Sequence, residues 1–255
     1  MGSIAAELPT STKLPSSVSE SDADALKYGI LEIDLVSKNP MELFKAWYAD
    51  AHQVPENTYP QAMTLATVRK DGGPSARTVL LRGLDEHGFK MYWDHRSRKT
   101  DEIKNDSRGA LVFCWTYKDE TGTAGGRQVR IEGILEKLTE DDNTDYFNNE
   151  PLPAKIRATA CHQSRVITDN RDSMLSQIHS LYQKATSGQL ELTKPDYWGG
   201  FRLVPQMIEF YQGQRDTIND RIRFRKVSET DTPSAADEPG VSVGDDGWVY
   251  ERLEP

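Results

Sequence analysis

From residue 198 to 224 the chain is written almost entirely in alternation. Apolar and polar side chains change places through 201–204, 207–211 and 221–224. That period of two puts successive side chains on opposite faces of a strand, and it does not make a helical stripe. Glycines at Gly199-Gly200 and Gly213 mark two points where backbone can come close to a neighbour. Arg221 stands inside the last strand-like run. Taken with Arg77, the Ser97-Arg98-Lys99 turn and Gln128, the stretch suggests a site for a flat, anionic cofactor, with one β-rich domain assembled around it.

The rest of the chain continues the pattern. Residues 63–68 form an apolar, β-branched run, Asp71-Gly72-Gly73-Pro74 a turn signal, 77–81 a return strand and 89–93 a third strand. Residues 110–117 are nearly continuous in apolar side chains and predict a central strand. In 128–138, Val129 and Ile131 point one way and Gln128, Arg130 and Glu132 the other. Final strands are expected at 222–227 and 248–253. Helices are fewer. Asn39 is a good N-cap, Pro40 suits the first turn, and Leu43, Phe44, Trp47 and Ala51 fall on one face. Ser97 is expected to cap a short helix with Arg98 and Lys99 in its first turn. Cations there oppose the helix dipole, a cost that a bound anion would offset. Thr139 and Asp142 open another helix that runs to Phe147 and stops before Pro151. Residues 169–185 predict a last one, with Met174, Leu175, Ile178, Leu181 and Tyr182 at helical spacing. Short strands outnumber helices, so the expected architecture is mainly β, an antiparallel barrel or sandwich with peripheral helices. Residues 1–24 read as a disordered arm, 25–255 as a single domain, 118–126 as a flexible loop and 228–246 as a mobile one.

Composition removes several classes of function. The 255 residues carry a net charge of −9, opposite to the balance of a free-standing nucleic-acid binder. No apolar run is long enough to span a membrane, and no secretory signal pattern opens the chain. Cys114 and Cys161 do not suggest a disulfide scaffold, so a reducing, cytoplasmic setting is expected. Phosphate-binding glycine loops and the GxSxG elbow are absent from the sequence. Histidines 52, 87, 95, 162 and 179 are scattered without ligand spacing, so no metal site is expected.

Nearly the whole of 34–255 resembles the pyridoxamine 5′-phosphate oxidase family. The resemblance rests on Asn39-Pro40, Ser75-Ala76-Arg77 with Val79-Leu80-Leu81, Ser97-Arg98-Lys99, Arg127-Gln128-Val129-Arg130-Ile131-Glu132-Gly133, His162-Gln163-Ser164, Tyr197-Trp198-Gly199-Gly200, Glu209-Phe210-Tyr211-Gln212-Gly213, Asp220-Arg221 and Arg252-Leu253. Each motif alone is weak, but their order is specific. The resemblance implies an FMN-binding split β-barrel that forms a homodimer with the flavin at the subunit interface. It implies that Arg77, Thr78, Val79, Leu80, Arg82, Arg98 and Lys99 hold the phosphate and ribityl end. Guanidinium groups clamp such a phosphate bidentately. Tyr92, Trp93, Gln128, Gln163 and Ser164 would line the rest of the cofactor. Tyr211 stands where the family usually has Trp, and Arg221 matches an arginine that stabilises the reduced, anionic flavin. Catalytic roles are therefore expected for Arg221, Tyr211 and Asn219. The activity implied is hydride transfer from a small-molecule substrate to flavin N5, followed by reoxidation with molecular oxygen.

The substrate side departs from the family. Arg82 replaces Lys. In the phosphate patch Tyr146 is kept, but Glu150 replaces Arg and Ala154 replaces Ser. Thr217 and Asn219 stand for Arg and His, the lid residues lack clear matches although Lys27 and Tyr28 lie nearby, and Trp93 takes a position that is usually small and polar. An anion where a phosphate should bind adds repulsion. The expectation is an FMN oxidase acting on another small amine, alcohol or dihydro-heterocycle, akin to the family's phenazine-forming branch. The alternatives are a true pyridoxine or pyridoxamine 5′-phosphate oxidase, with Arg82, Lys155 or Arg157 substituting for the lost cations, and a non-catalytic flavin-binding protein.

Overall fold

The computed structural model describes residues 32–119, 122–168, 170–214, 218–227 and 238–255. The N-terminal arm, Lys27, Tyr28, Thr217 and the first part of the expected mobile loop lie outside these. The strands are β1 (Ala62–Val68), β2 (Pro74–Leu80), β3 (Gly83–Asp85), β4 (Gly88–Asp94), β5 (Arg108–Lys118), β6 (Ala124–Lys137), β7 (Trp198–Gln214), β8 (Asp220–Lys226), β9 (Val241–Val243) and β10 (Trp248–Leu253). The helices are α1 (Pro40–Gln53), α2 (Arg98–Asn105), α3 (Glu140–Asn149), α4 (Leu152–Ala160) and α5 (Arg171–Thr186). All strand pairs are antiparallel, in the order β2-β1-β5-β6-β7-β8-β10-β9, with β4 joining β3 to β7.

The expected pair of strands at 201–204 and 207–211 is one 17-residue strand, β7. Along one edge it pairs with β6 from Phe201 to Gln214. Along the other it pairs first with β4, from Trp198 to Leu203, and then with β8, from Met207 to Gln212. Pro205 lies between the two partners, where its missing N–H breaks no ladder. A register shift opposite Glu132/Gly133 leaves Gln206 as a bulge. A Cβ on Gly133 would lie 2.0 Å from the Val204 carbonyl oxygen, so only glycine fits there.

Helix α1 closes the core. Asn39 Oδ1 accepts from Met41 N–H at 2.8 Å, as expected for the cap, and Asn39 Nδ2 donates to Asp246 at 2.8 Å. Phe44 is fully buried against Phe89, Phe113 and Trp115, with ring centroids 4.9, 5.1 and 5.9 Å away, while Trp47 meets Phe210 edge-on at 5.1 Å. Such pairs add directional preference to apolar burial.

Other differences from the sequence-based picture are local. The loop expected at 118–126 shrinks, because β5 runs to Lys118 and β6 begins at Ala124. Within 228–246, Val241–Val243 is a strand paired with β10. Ser97 occupies the N-cap of α2, but its hydroxyl makes no cap bond and accepts from Lys99 Nζ instead. Helix α5 has its expected span but buries none of its residues.

Replacing Phe44 with Ala removes the ring at the centre of this aromatic cluster. Chemical denaturation is expected to show a loss of about 3–5 kcal/mol, with the midpoint shifted and the slope retained.

Candidate functional site

Two adjoining cavities lie beside β4. The first, about 220 Å³, is lined along β2 by Arg77, Thr78, Val79, Leu80 and Arg82, and is closed by Tyr92, Trp93, Lys99 and Gln163. The second, about 330 Å³, shares Arg82, Tyr92, Trp93 and Gln163 and extends to Tyr146, Glu150, Ala154, Arg157 and Trp198. The residues expected at the phosphate end of a cofactor and those expected around a substrate are thus neighbours in space.

A buried carboxylate organises the first cavity. Glu102, on α2, accepts from Thr67 Oγ1 at 2.6 Å, Arg77 Nη2 at 2.7 Å and Arg98 Nε at 3.0 Å. Burial raises its pKa, but hydrogen bonds from Thr67, Arg77 and Ser75 outweigh this and leave it below the ordinary glutamate value. Two guanidinium groups are therefore fixed before any ligand arrives. Lys99 differs. Its side chain is buried, its Nζ donates to Gln163 Oε1 at 2.8 Å, and no carboxylate among the described residues pairs with it. Burial first, and Arg77 second, push its pKa down to about 8. A buried ammonium without a counter-ion is a costly arrangement that an anion would relieve. Arg77, Arg82 and Lys99 line this cavity, whereas Arg98, held by the same carboxylate as Arg77, does not; the three lining cations fit the phosphate of FMN.

The His162-Gln163-Ser164 turn docks onto this end of α2. Gln163 N–H donates to Asp94 Oδ2 at 3.1 Å, and Arg98 N–H lies 3.4 Å from Ser164 Oγ. Ser164 has φ 73°, a strained conformation for a residue with a Cβ. Asp94 also binds Arg96 at 2.7 Å, which anchors the turn to the end of β4.

In the second cavity Tyr146 stacks on Tyr92, with centroids 3.8 Å apart and planes at 8°. Burial pushes the Tyr92 pKa up to about 12. Burial, and then Glu150 as acceptor for the hydroxyl, raise that of Tyr146 further. As expected, the helix that carries Tyr146 stops before Pro151, and Ala154 lies on a further helix. α3 ends at Asn149, Glu150 is its C-cap, and α4 begins at Leu152 after Pro151. The break turns Ala154 and Arg157 towards the cavity, a placement that helical spacing through 146–154 does not give. Lys155 does not line it. Its Nζ donates to the Asn148 carbonyl at 2.8 Å and lies over the Phe147 ring.

Gly199 and Gly200 do not make room for a ligand. Asn143 and Tyr92 fill the space, and Gly200 N–H donates to Asn143 Oδ1 at 2.7 Å.

The remaining expected residues form a separate group. Gln128, Tyr211 and Arg221 are register partners across β6, β7 and β8. The next row, Val129, Phe210 and Ile222, is fully buried, so these three face away from the core. Asn219 Nδ2 donates to the Tyr211 hydroxyl at 2.6 Å. Arg221 pairs with Glu209 at 3.1 Å. None of the four lines either cavity of its own chain.

Comparison with known proteins places these features. The family model described as pyridoxamine 5′-phosphate oxidase matches residues 50–184, and the model described as the pyridoxine 5′-phosphate oxidase C-terminal dimerisation region matches 198–255. A Bombyx mori pyridoxine/pyridoxamine 5′-phosphate oxidase is 42% identical over 88% of this chain and 83% of its own. A Bos taurus pyridoxine-5′-phosphate oxidase is 40% identical over 88% and 81%. Among solved structures, PhzG from Burkholderia lata, in complex with tetrahydrophenazine-1-carboxylic acid, superposes with a TM-score of 0.71 at 22% identity, covering 89% of this chain and 99% of that one. A pyridoxamine 5′-phosphate oxidase-related, FMN-binding protein from Nostoc punctiforme gives 0.56 at 17% identity, covering 83% and 96%. Both share the split-barrel fold. No helix among the described residues is long and apolar enough to cross a membrane, and no group of side chains there could hold a metal ion.

The lowered pKa of Lys99 sets a sign for cofactor binding. An anion raises that pKa again, so above about pH 8 binding takes up a proton. FMN affinity of the apoprotein is expected to be flat below that pH and to fall by up to about tenfold per pH unit above it. Fluorescence titrations of FMN across this range should show the slope in the native protein and lose it in Lys99→Gln.

Proposed function

The chain belongs to the pyridoxamine 5′-phosphate oxidase family and is an FMN-dependent oxidase, and on that premise we propose that it oxidises pyridoxine or pyridoxamine 5′-phosphate, yielding pyridoxal 5′-phosphate. The observation that carries this reading is the similarity to the two named relatives at 40–42% identity along most of both chains. The cavity beyond Tyr92 supports it. That space adjoins the phosphate-holding cavity, has an aromatic wall of Tyr92, Tyr146 and Trp198, and keeps Arg82, a cation without an ion-pair partner among the described residues.

Arg77, Arg98 and Lys99 bind the FMN phosphate, and Thr78, Val79 and Leu80 lie along the ribityl chain. Tyr92, Trp93, Gln163 and Ser164 bound the cofactor on the cavity side. When bound, FMN supplies the hydride acceptor and hands the electrons to oxygen. The Gln128–Tyr211–Arg221 row comes from a second copy of the chain. Its absence from the cavities of its own subunit, and the match of 198–255 to a dimerisation region, support a homodimer with the site between subunits. In that arrangement Arg221, braced by Glu209, supplies a cation to the flavin ring. Tyr211, held by Asn219, presents its hydroxyl to the substrate side.

A second reading keeps the chemistry and changes the substrate to another small amine, alcohol or dihydro-heterocycle. It rests on Glu150, a carboxylate lining the cavity where the resemblance expects a phosphate-binding arginine. The named relatives favour the vitamin B6 phosphates over it.

Anaerobic titration separates the two. Addition of pyridoxine 5′-phosphate to the FMN-loaded protein without oxygen is expected to bleach the flavin absorbance stoichiometrically. Spectra that stay oxidised with both vitamer phosphates would overturn the proposal in favour of the second reading.

A further inference from the structure

The loss of an arginine at position 150 raises the question of what holds an anionic substrate. Helix α4 turns Ala154, Arg157, Ala158 and Cys161 to the cavity, a spacing of three and four that marks one helical face. Three of these side chains are small and leave space. Arg157 is the exception. It is exposed and, like Arg82 across the cavity, forms no ion pair among the described residues. The carboxylates at the same cavity do not neutralise the pair. Asp94 is engaged by Arg96 at 2.7 Å, and Glu150 serves as acceptor for Tyr146. Glu150 can balance one of the two guanidinium charges at most, so the cavity remains cationic. Lys155, the other basic residue of this helix turn, is committed to the Asn148 carbonyl.

We propose that Arg157 is the specificity-determining residue of this cavity and, together with Arg82, clamps the anionic end of the substrate. The cation that position 150 lacks is supplied from the next helix, seven residues on. A guanidinium matches the paired oxygens of a phosphate and can bind it bidentately, which an ammonium cannot do. The proposal rests on the reading above only for the identity of the molecule that carries the anion.

The test uses the FMN-loaded protein, so that the cofactor-phosphate site is already filled. Inorganic phosphate and pyridoxal 5′-phosphate are titrated calorimetrically into the native protein and into Arg157→Gln, Arg157→Lys and Arg171→Gln. Arg157→Gln is expected to weaken both ligands roughly 10- to 100-fold. The same variant is expected to raise KM for pyridoxine 5′-phosphate by a similar factor, with kcat and FMN content unchanged. Arg157→Lys recovers part of the loss, and Arg171→Gln, on exposed α5, matches the native protein. Undiminished binding by Arg157→Gln, or no binding of either ligand by the native protein, overturns the clamp. Native protein that binds phosphate through Arg157 but is not reduced by the vitamer phosphates upholds the clamp and overturns the substrate reading. Ordinary turnover with KM unaffected by Arg157→Gln does the reverse.

Discussion

One edge of β7 hydrogen-bonds to β4 from Trp198 to Leu203 and to β8 from Met207 to Gln212, and the functional geometry hangs on that hand-over. A strand has two edges, and β6 occupies the other from Phe201 to Gln214. Sharing the free edge lets a single strand serve two places. Its first half holds β4, and with it Tyr92, Trp93 and Asp94, at the two cavities. Its second half holds β8, and with it Arg221, in line with Tyr211 and Gln128. Pro205, the Gln206 bulge and Gly133 are the local devices that make the change of partner possible.

Charge is arranged with similar economy. Glu102 is nearly inaccessible, yet three donors keep it ionised, and one of those donors, Arg77, lines the first cavity. Arg77 is thus already oriented before any ligand arrives, so little of its side-chain entropy would remain to be lost on binding an anion. Lys99 forms no ion pair with a carboxylate among the described residues, so an anion would raise its lowered pKa. Asp94 plays the corresponding part on the other side, joining Arg96 to the Gln163 backbone and so fixing the turn beside the first cavity.

The family assignment and the substitutions at the substrate end are compatible once charge is counted by cavity and not by aligned position. Glu150 changes sign relative to the expected arginine, but it faces Tyr146, while Arg82 and Arg157 form no ion pair among the described residues. An anion responds to the summed field of nearby groups, so a cation moved to an adjacent helix can serve where an aligned one is missing. Counting position by position favours a different substrate. Counting by cavity leaves room for a phosphate.

The strands and the α1 cap and core face were legible in the sequence, because alternation, capping and turn chemistry act over a few residues, and the ordered motifs were enough to mark the family. The tertiary structure decided the rest. Two runs around Pro205 merged into β7 because pairing to β6 continues on both sides of the proline, across the bulge at Gln206. The expected cofactor residues divided into a cavity group and an outward-facing row, since which face and which neighbour a side chain meets is settled by pairing between distant strands. Arg157, and not Lys155, reached the cavity because Pro151 restarts the helix in a new direction. Sequence by itself determined which chemical groups the chain carries and the local elements that bear them. Only the packing of those elements determined which groups meet, because a charge or a ring acts through distance in space and not through separation along the chain.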